Sequence, residues 1–149
     1  MNIIKGNLIT LALNKEFDVI AHGCNCFHTM GMGIAAQIRE EFPTVARVDN
    51  MTKRADITKL GTYSIAFIPE LSLRIANCYT QFRLGIPYAP ETYQTRLNAI
   101  ECCMFKLGAE FNGQRIGIPR IGAGLAGGSW NDILIVLKRV IPSATVVEL

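Results

Sequence analysis

The sequence predicts an α/β fold, a sandwich with helices on both faces of one sheet. Short apolar runs rich in β-formers alternate with stretches of helical spacing, and two glycine clusters each stand between such a run and a helix. The length of 149 residues suits one domain and is too short for two ordinary ones.

The elements follow in order. Residues 2–4 form a first strand that enters the turn Lys5-Gly6-Asn7, residues 18–26 form a second, and both read as buried. Gly31-Met32-Gly33 opens a helix whose Ile34, Ala35, Ile38 and Phe42 share a face, with Pro43 as its stop signal. Residues 47–59 hold a short helix and a linker. Beyond Gly61, residues 62–69 and 73–80 resemble strands paired across Glu70-Leu71-Ser72. Residues 82–90, with Gly85, Pro87 and Pro90, read as a surface loop, and 91–111 as an amphipathic helix presenting Leu97, Ile100, Met104 and Leu107. A strand at 115–119, a glycine-rich loop at 121–128, a helix capped by Ser129 that runs to Val140, and a strand at 144–148 complete the chain. Parallel pairing is expected at the centre of the sheet and antiparallel pairing at the turn between 62 and 80.

Half of the residues are hydrophobic and 18% are charged, with both signs interspersed, which excludes a disordered chain. The apolar run at 19–26 is interrupted by His22, Gly23 and Asn25 and falls far short of the roughly 20 residues that span a bilayer. The beginning, MNIIKGNLIT, lacks a cationic region and a long apolar run, so a cytoplasmic monomer without a membrane partner is expected. The formal charge of +3 is not gathered into a basic stripe, and nucleic acid is not an expected partner. The odd count of five cysteines, mostly inside apolar segments, reads as reduced and buried thiols.

Both glycine clusters are candidate phosphate cradles, because free backbone N–H groups at the start of a helix receive anions. Two such loops at the carboxyl ends of strands imply one cleft suited to a diphosphate with sugar and base extending outward. The alternative for each loop is a turn that needs glycine for its backbone angles. Gly122-x-Gly124-x-x-Gly127 also spells a dinucleotide fingerprint, but only one helix and one strand follow it, too little for a nucleotide-binding half. His22, Cys24, Cys26 and His28 alternate in a way that invites a zinc site, yet on a strand they would span about 20 Å, so no metal is expected. Cys24 and Cys26 have no base beside them in sequence and read as core thiols rather than nucleophiles. His22 ends a strand just before the first loop, where it is either a hydrogen-bonded core histidine or a general acid or base at the cleft mouth. Asn25 either holds a sugar hydroxyl or caps the loop, and Glu91 and Asp132 are further acidic candidates through their nearness to loops.

The segments KGNL, HGCNC followed by GMGIA, and IPRIGAGLAGGSW resemble the macro domain family over almost the whole chain. The nearer likeness is to the small ADP-ribose 1''-phosphate phosphatases, and deacylating ADP-ribose hydrolases belong to the same branch. The resemblance implies a three-layer α/β/α sandwich with a mixed, mostly parallel central sheet and a cleft for ADP-ribose. It implies that Gly6, Asn7 and Leu8 meet adenine, with Asn7 standing where many members carry aspartate. Gly23, Cys24, Asn25, Met30, Gly31, Met32, Gly33, Ile34 and Ala35 match the loop against the distal ribose and diphosphate, and Ile121, Gly122, Ala123, Gly124, Leu125 and Ala126 the second phosphate loop. The deacylating hydrolases carry a lysine and an aspartate where Gln81 and Ala126 stand here. The implied activity is metal-free and cofactor-free hydrolysis of the distal phosphate, with His22 as acid or base. The alternatives are a non-catalytic reader of free or protein-linked ADP-ribose, and a hydrolase that removes ADP-ribose from macromolecules.

Overall fold

The computed structural model describes residues 1–124 and 126–149. Six strands form one mixed sheet: β1 (Asn2–Lys5), β2 (Val19–Cys24), β3 (Tyr63–Ile68), β4 (Leu73–Tyr79), β5 (Ile116–Ile118) and β6 (Thr145–Glu148). Their spatial order is β1-β6-β5-β2-β4-β3, and every pair is parallel except β3 with β4. The antiparallel pair is the hairpin expected from sequence, turned by the 3₁₀ segment Pro69–Leu71 and by Ser72 in the left-handed region at φ 49°.

Helices cover both faces, giving the three layers. On one side lie α1 (Leu8–Leu13), α2 (Gly33–Glu41) and α3 (Pro43–Asn50), whose Leu8, Ala12, Ile38 and Val45 pack on Ile20, Ala66 and Ile75 of the sheet. On the other lie α4 (Tyr93–Glu110) and α5 (Trp130–Val140), whose Ile100, Met104, Ile133 and Leu137 pack on Val19, Ala21, Ile116 and Ile118. The alternation along β2 therefore decides which residues face which helices: Ile20, His22 and Cys24 face the first layer, Val19 and Ala21 the second.

Two expectations are corrected and one helix is added. The first strand is largely exposed because it is a sheet edge paired only with β6. Pro43 does not end the helical region; it occupies the first position of α3, where its missing N–H costs nothing. Helix α1, capped by the Asn7 side chain on Thr10 N at 3.0 Å, was not foreseen. No helix of the described residues is long and apolar enough to cross a membrane.

Candidate functional site

Two adjoining hollows form a groove along the carboxyl ends of β1, β6, β5, β2 and β4. The outer one, of about 350 Å³, is lined by Gly6, Asn7, Leu8 and the end of β6. The inner one, of about 260 Å³, is lined by Gly23, Cys24 and Asn25, by Met30, Met32, Gly33, Ile34 and Ala35, and by Ile121, Gly122, Ala123, Gly124 and Ala126. Gly33, Ile34, Pro119 and Arg120 belong to both. The sheet thus gathers sixteen of the predicted binding residues from three distant segments. Gly31 stands in the same loop without lining the groove, and Leu125 lies outside the described residues.

The first loop ends in a helix terminus open to an anion. Met32 precedes α2 with no side-chain cap, and Gly33 takes φ 59°, a conformation that glycine reaches without strain. Asn25 shapes the loop: its Nδ2 donates to Thr29 Oγ1 at 2.6 Å, and its Oδ1 accepts from Phe27 N at 2.8 Å. Both halves of the amide are engaged in holding the loop's shape, and Asn25 lines the inner hollow. Asn7 is similarly committed through its Oδ1 to capping α1, which leaves that oxygen one lone pair for a ligand in the outer hollow.

His22 does not look out of the cleft mouth. It is fully buried beneath the groove floor, and its Nε2 lies 2.6 Å from Asn77 Oδ1. The reason is β alternation, which turns its side chain to the face covered by α3, where its partner Asn77 also donates to Val45 O. Burial lowers its pKa against the opposing pull of Asn77 and of the Asp49 charge, so the imidazole is kept neutral. Cys24 lines the groove, but burial first and the Asp49 charge second push its thiol far up, and Cys26 is pushed up to about 11 by burial. Neither is a thiolate nucleophile. His28 turns away to Thr52 Oγ1 at 3.2 Å, and the described residues contain no group of three or more His, Cys, Asp or Glu placed to hold a metal ion.

The carboxylate that sequence reasoning missed is Asp49. It sits at the end of α3, is 1% exposed, and lines the inner hollow with Cys24, Asn25 and Thr80. A polar network behind it fixes its place. Tyr79 OH donates to Asp49 Oδ1 at 2.8 Å and meets Ser64 Oγ at 2.9 Å, and Asn77 Nδ2 donates to that Ser64 oxygen at 3.1 Å. Asn77 in turn holds His22. Lys59 Nζ lies 4.6 Å from the centre of the Tyr79 ring and donates to Thr52 Oγ1 at 2.8 Å. Nothing local in the sequence marks Asp49, because its position depends on α3 folding back over β4. Arg120 was also missed. It stacks 5.1 Å over Trp130 and supplies the cation between the two hollows.

The two other acidic candidates have separate fates. Glu91 is buried against Arg96 at 2.9 Å; burial alone would raise its pKa, but Arg96 and the Phe82 N–H outweigh this and lower it. Asp132 lines a further hollow of about 330 Å³ between α4 and α5, which meets the inner one at Thr80, Gln81, Gly122 and Ala126. Gln81 and Ala126 both line the groove and bring no charge to it.

This arrangement of sheet, layers and groove is the macro domain fold. The macro domain of Thermus aquaticus DarG superposes with TM-score 0.72 at 18% identity, covering 99% of this chain and 95% of that one. A Bacteroides thetaiotaomicron crystal structure superposes at 0.80 and 20% identity, covering 100% and 99%. Thermosipho africanus DarTG in complex with ADP-ribose superposes at 0.74 and 13% identity, covering 100% of this chain and 42% of that one. In sequence, the chain is 40% identical over 138 residues to the uncharacterized 17.5 kDa protein of the tk-vs intergenic region of Enterobacteria phage T4, 87% of this chain and 83% of the phage protein. It is 29% identical over 137 residues to an ADP-ribose 1''-phosphate phosphatase of Candida albicans, 87% of this chain and 86% of that protein. No family model matches. The chain has the macro domain fold and belongs to one family with the phage T4 protein.

Proposed function

We propose that the groove binds ADP-ribose and that the chain is a phosphatase acting on ADP-ribose 1''-phosphate. The observation that carries this is a buried carboxylate, Asp49, at the inner end of a two-loop groove whose free N–H groups suit phosphates. Adenine takes the outer hollow beside Asn7, the diphosphate lies along Gly33, Ile34 and the second loop near Arg120, and the distal ribose reaches Asn25 and Asp49. Water attacks phosphorus and gives its proton to Asp49, while the bond from phosphorus to the ribose oxygen breaks and that oxygen takes a proton from solvent. His22, neutral and bonded to Asn77, acts only through the network that orients Tyr79 and Asp49. The absence of charge at Gln81 and Ala126 weighs against deacylation of modified proteins, and the likeness to the Candida phosphatase supports phosphate release.

Calorimetry with ADP-ribose and a phosphate-release assay on ADP-ribose 1''-phosphate test the reading together. Asp49→Asn is expected to lower phosphate release at least about 100-fold while ADP-ribose affinity stays within about tenfold, or about 1.4 kcal/mol. Binding without release by the unaltered protein would make it a reader of ADP-ribose, including ADP-ribose carried on proteins. No binding at all would remove both readings.

A further inference from the structure

We propose that Arg96 is a positioning residue that holds the second glycine loop in the shape that receives the diphosphate; this rests on the ADP-ribose reading of the groove. Arg96 lies in the first turns of α4, 5% exposed, and its guanidinium joins three segments. Nη1 donates to Ala126 O of the glycine loop at 3.1 Å and to Gly85 O at 2.5 Å. Nη2 donates to Arg83 O at 3.0 Å and to Glu91 Oε1 at 2.9 Å. Glu91 completes the tie by accepting from Phe82 N through Oε2 at 2.5 Å.

Two of the segments so tied wall the inner hollow. Ala126 belongs to one, and Leu84, between the two held carbonyls, belongs to the other. The glycine loop has four glycines between 122 and 128, and its own bonds among the described residues include Gly127 N to Gly124 O at 3.0 Å and Gly128 N to Gly122 O at 3.0 Å. A chain so rich in glycine loses much entropy on being fixed, so an external anchor has a large effect on its shape. A planar fork can reach carbonyls on two sides at once, which a lysine ammonium cannot. Four contacts of Arg96 are to these segments, while its Nε is buried without a partner among the described residues. What the guanidinium secures is the relation between the loop and its neighbour.

The test compares the unaltered protein with Arg96→Lys and with Glu91→Gln, which keeps the arginine and loosens its counter-ion. Affinity for ADP-ribose is expected to fall at least tenfold in Arg96→Lys and severalfold in Glu91→Gln, while weak binding of adenosine, followed by NMR, stays unchanged. Backbone amide exchange is expected to accelerate at residues 122–128 with the sheet unaffected. Gln94→Ala, on the same helix and outside the clamp, should change neither. Equal losses for ADP-ribose and adenosine, or unchanged exchange in the loop, would overturn the proposal. If the unaltered protein binds no ADP-ribose, the functional reading fails, and the exchange rates alone still decide whether Arg96 holds the loop. Should Arg96→Lys not fold, Glu91→Gln decides by the same two readouts.

Discussion

The two glycine loops are alike in composition and unlike in construction. The first leads into α2 through Met32, which offers no side-chain cap, so its N–H groups stay open to the groove. The second leads into α5 through Ser129, whose hydroxyl accepts from Asp132 N, and Asp132 adds an acid to the first turn, so one N–H of this helix end is capped and the end is less open to an anion than the first. The floors differ too. Behind the first loop lies the polar network of His22, Asn77, Ser64, Tyr79 and Asp49, whereas behind the second lie Ile116, Ile118, Ile121 and Ile133. The first is built as an electrostatic receptor over a polar bed. The second is a wall, shaped by apolar packing and by Arg96 rather than by the helix it precedes.

The largest expected effect comes from filling that wall. A Cβ at Gly124 meets nothing within 4 Å, so Gly124→Glu places bulk and negative charge in the groove without disturbing the core. ADP-ribose affinity is expected to fall at least about 100-fold, about 2.7 kcal/mol, with little change in Tm; calorimetry and thermal unfolding check both, and unchanged affinity would remove this loop from the site. Two residues earlier the sign of the experiment reverses. Gly122 takes φ 76°, and its Cβ would come 2.6 Å from Ile100 Cδ1, so Gly122→Ala is expected to cost about 2 kcal/mol of folding stability through strain and overpacking, read by denaturant unfolding.

The smallest effect separates the floors. Burial depresses the pKa of His22, so below about pH 6.5 the unfolded chain binds a proton that the folded chain refuses. The His22 contribution to stability is therefore fully present above that pH and declines as pH falls. Unfolding free energies measured between pH 7 and 5 should show this slope in the unaltered protein and a flatter one in His22→Gln; equal slopes would mean that His22 is not held neutral.

Much of the fold was legible because its signals are local. The β-rich runs at 19–24 and 73–79, the spacing of Leu97, Ile100, Met104 and Leu107, and the Ser129 cap each specify an element within a few residues. Helix α1 escaped because it has six residues and no acidic or basic bias at its ends. The backbone side of the groove was legible for the same reason as the strands, since glycines mark it. Its charged side chains were not, because Asp49 and Arg120 owe their place to tertiary packing. The role expected of His22 depended on which way a strand residue points, and a strand's period of two leaves that open until the helices are placed.

The thiols carry a practical consequence. Cys24, Cys26, Cys78 and Cys103 are buried, and Cys102 alone is exposed, on α4 beside Gly61 and outside the groove lining. A maleimide reagent under native conditions should therefore attach at one place. A dye or tether fixed there would report on, or immobilise, a protein whose groove remains free.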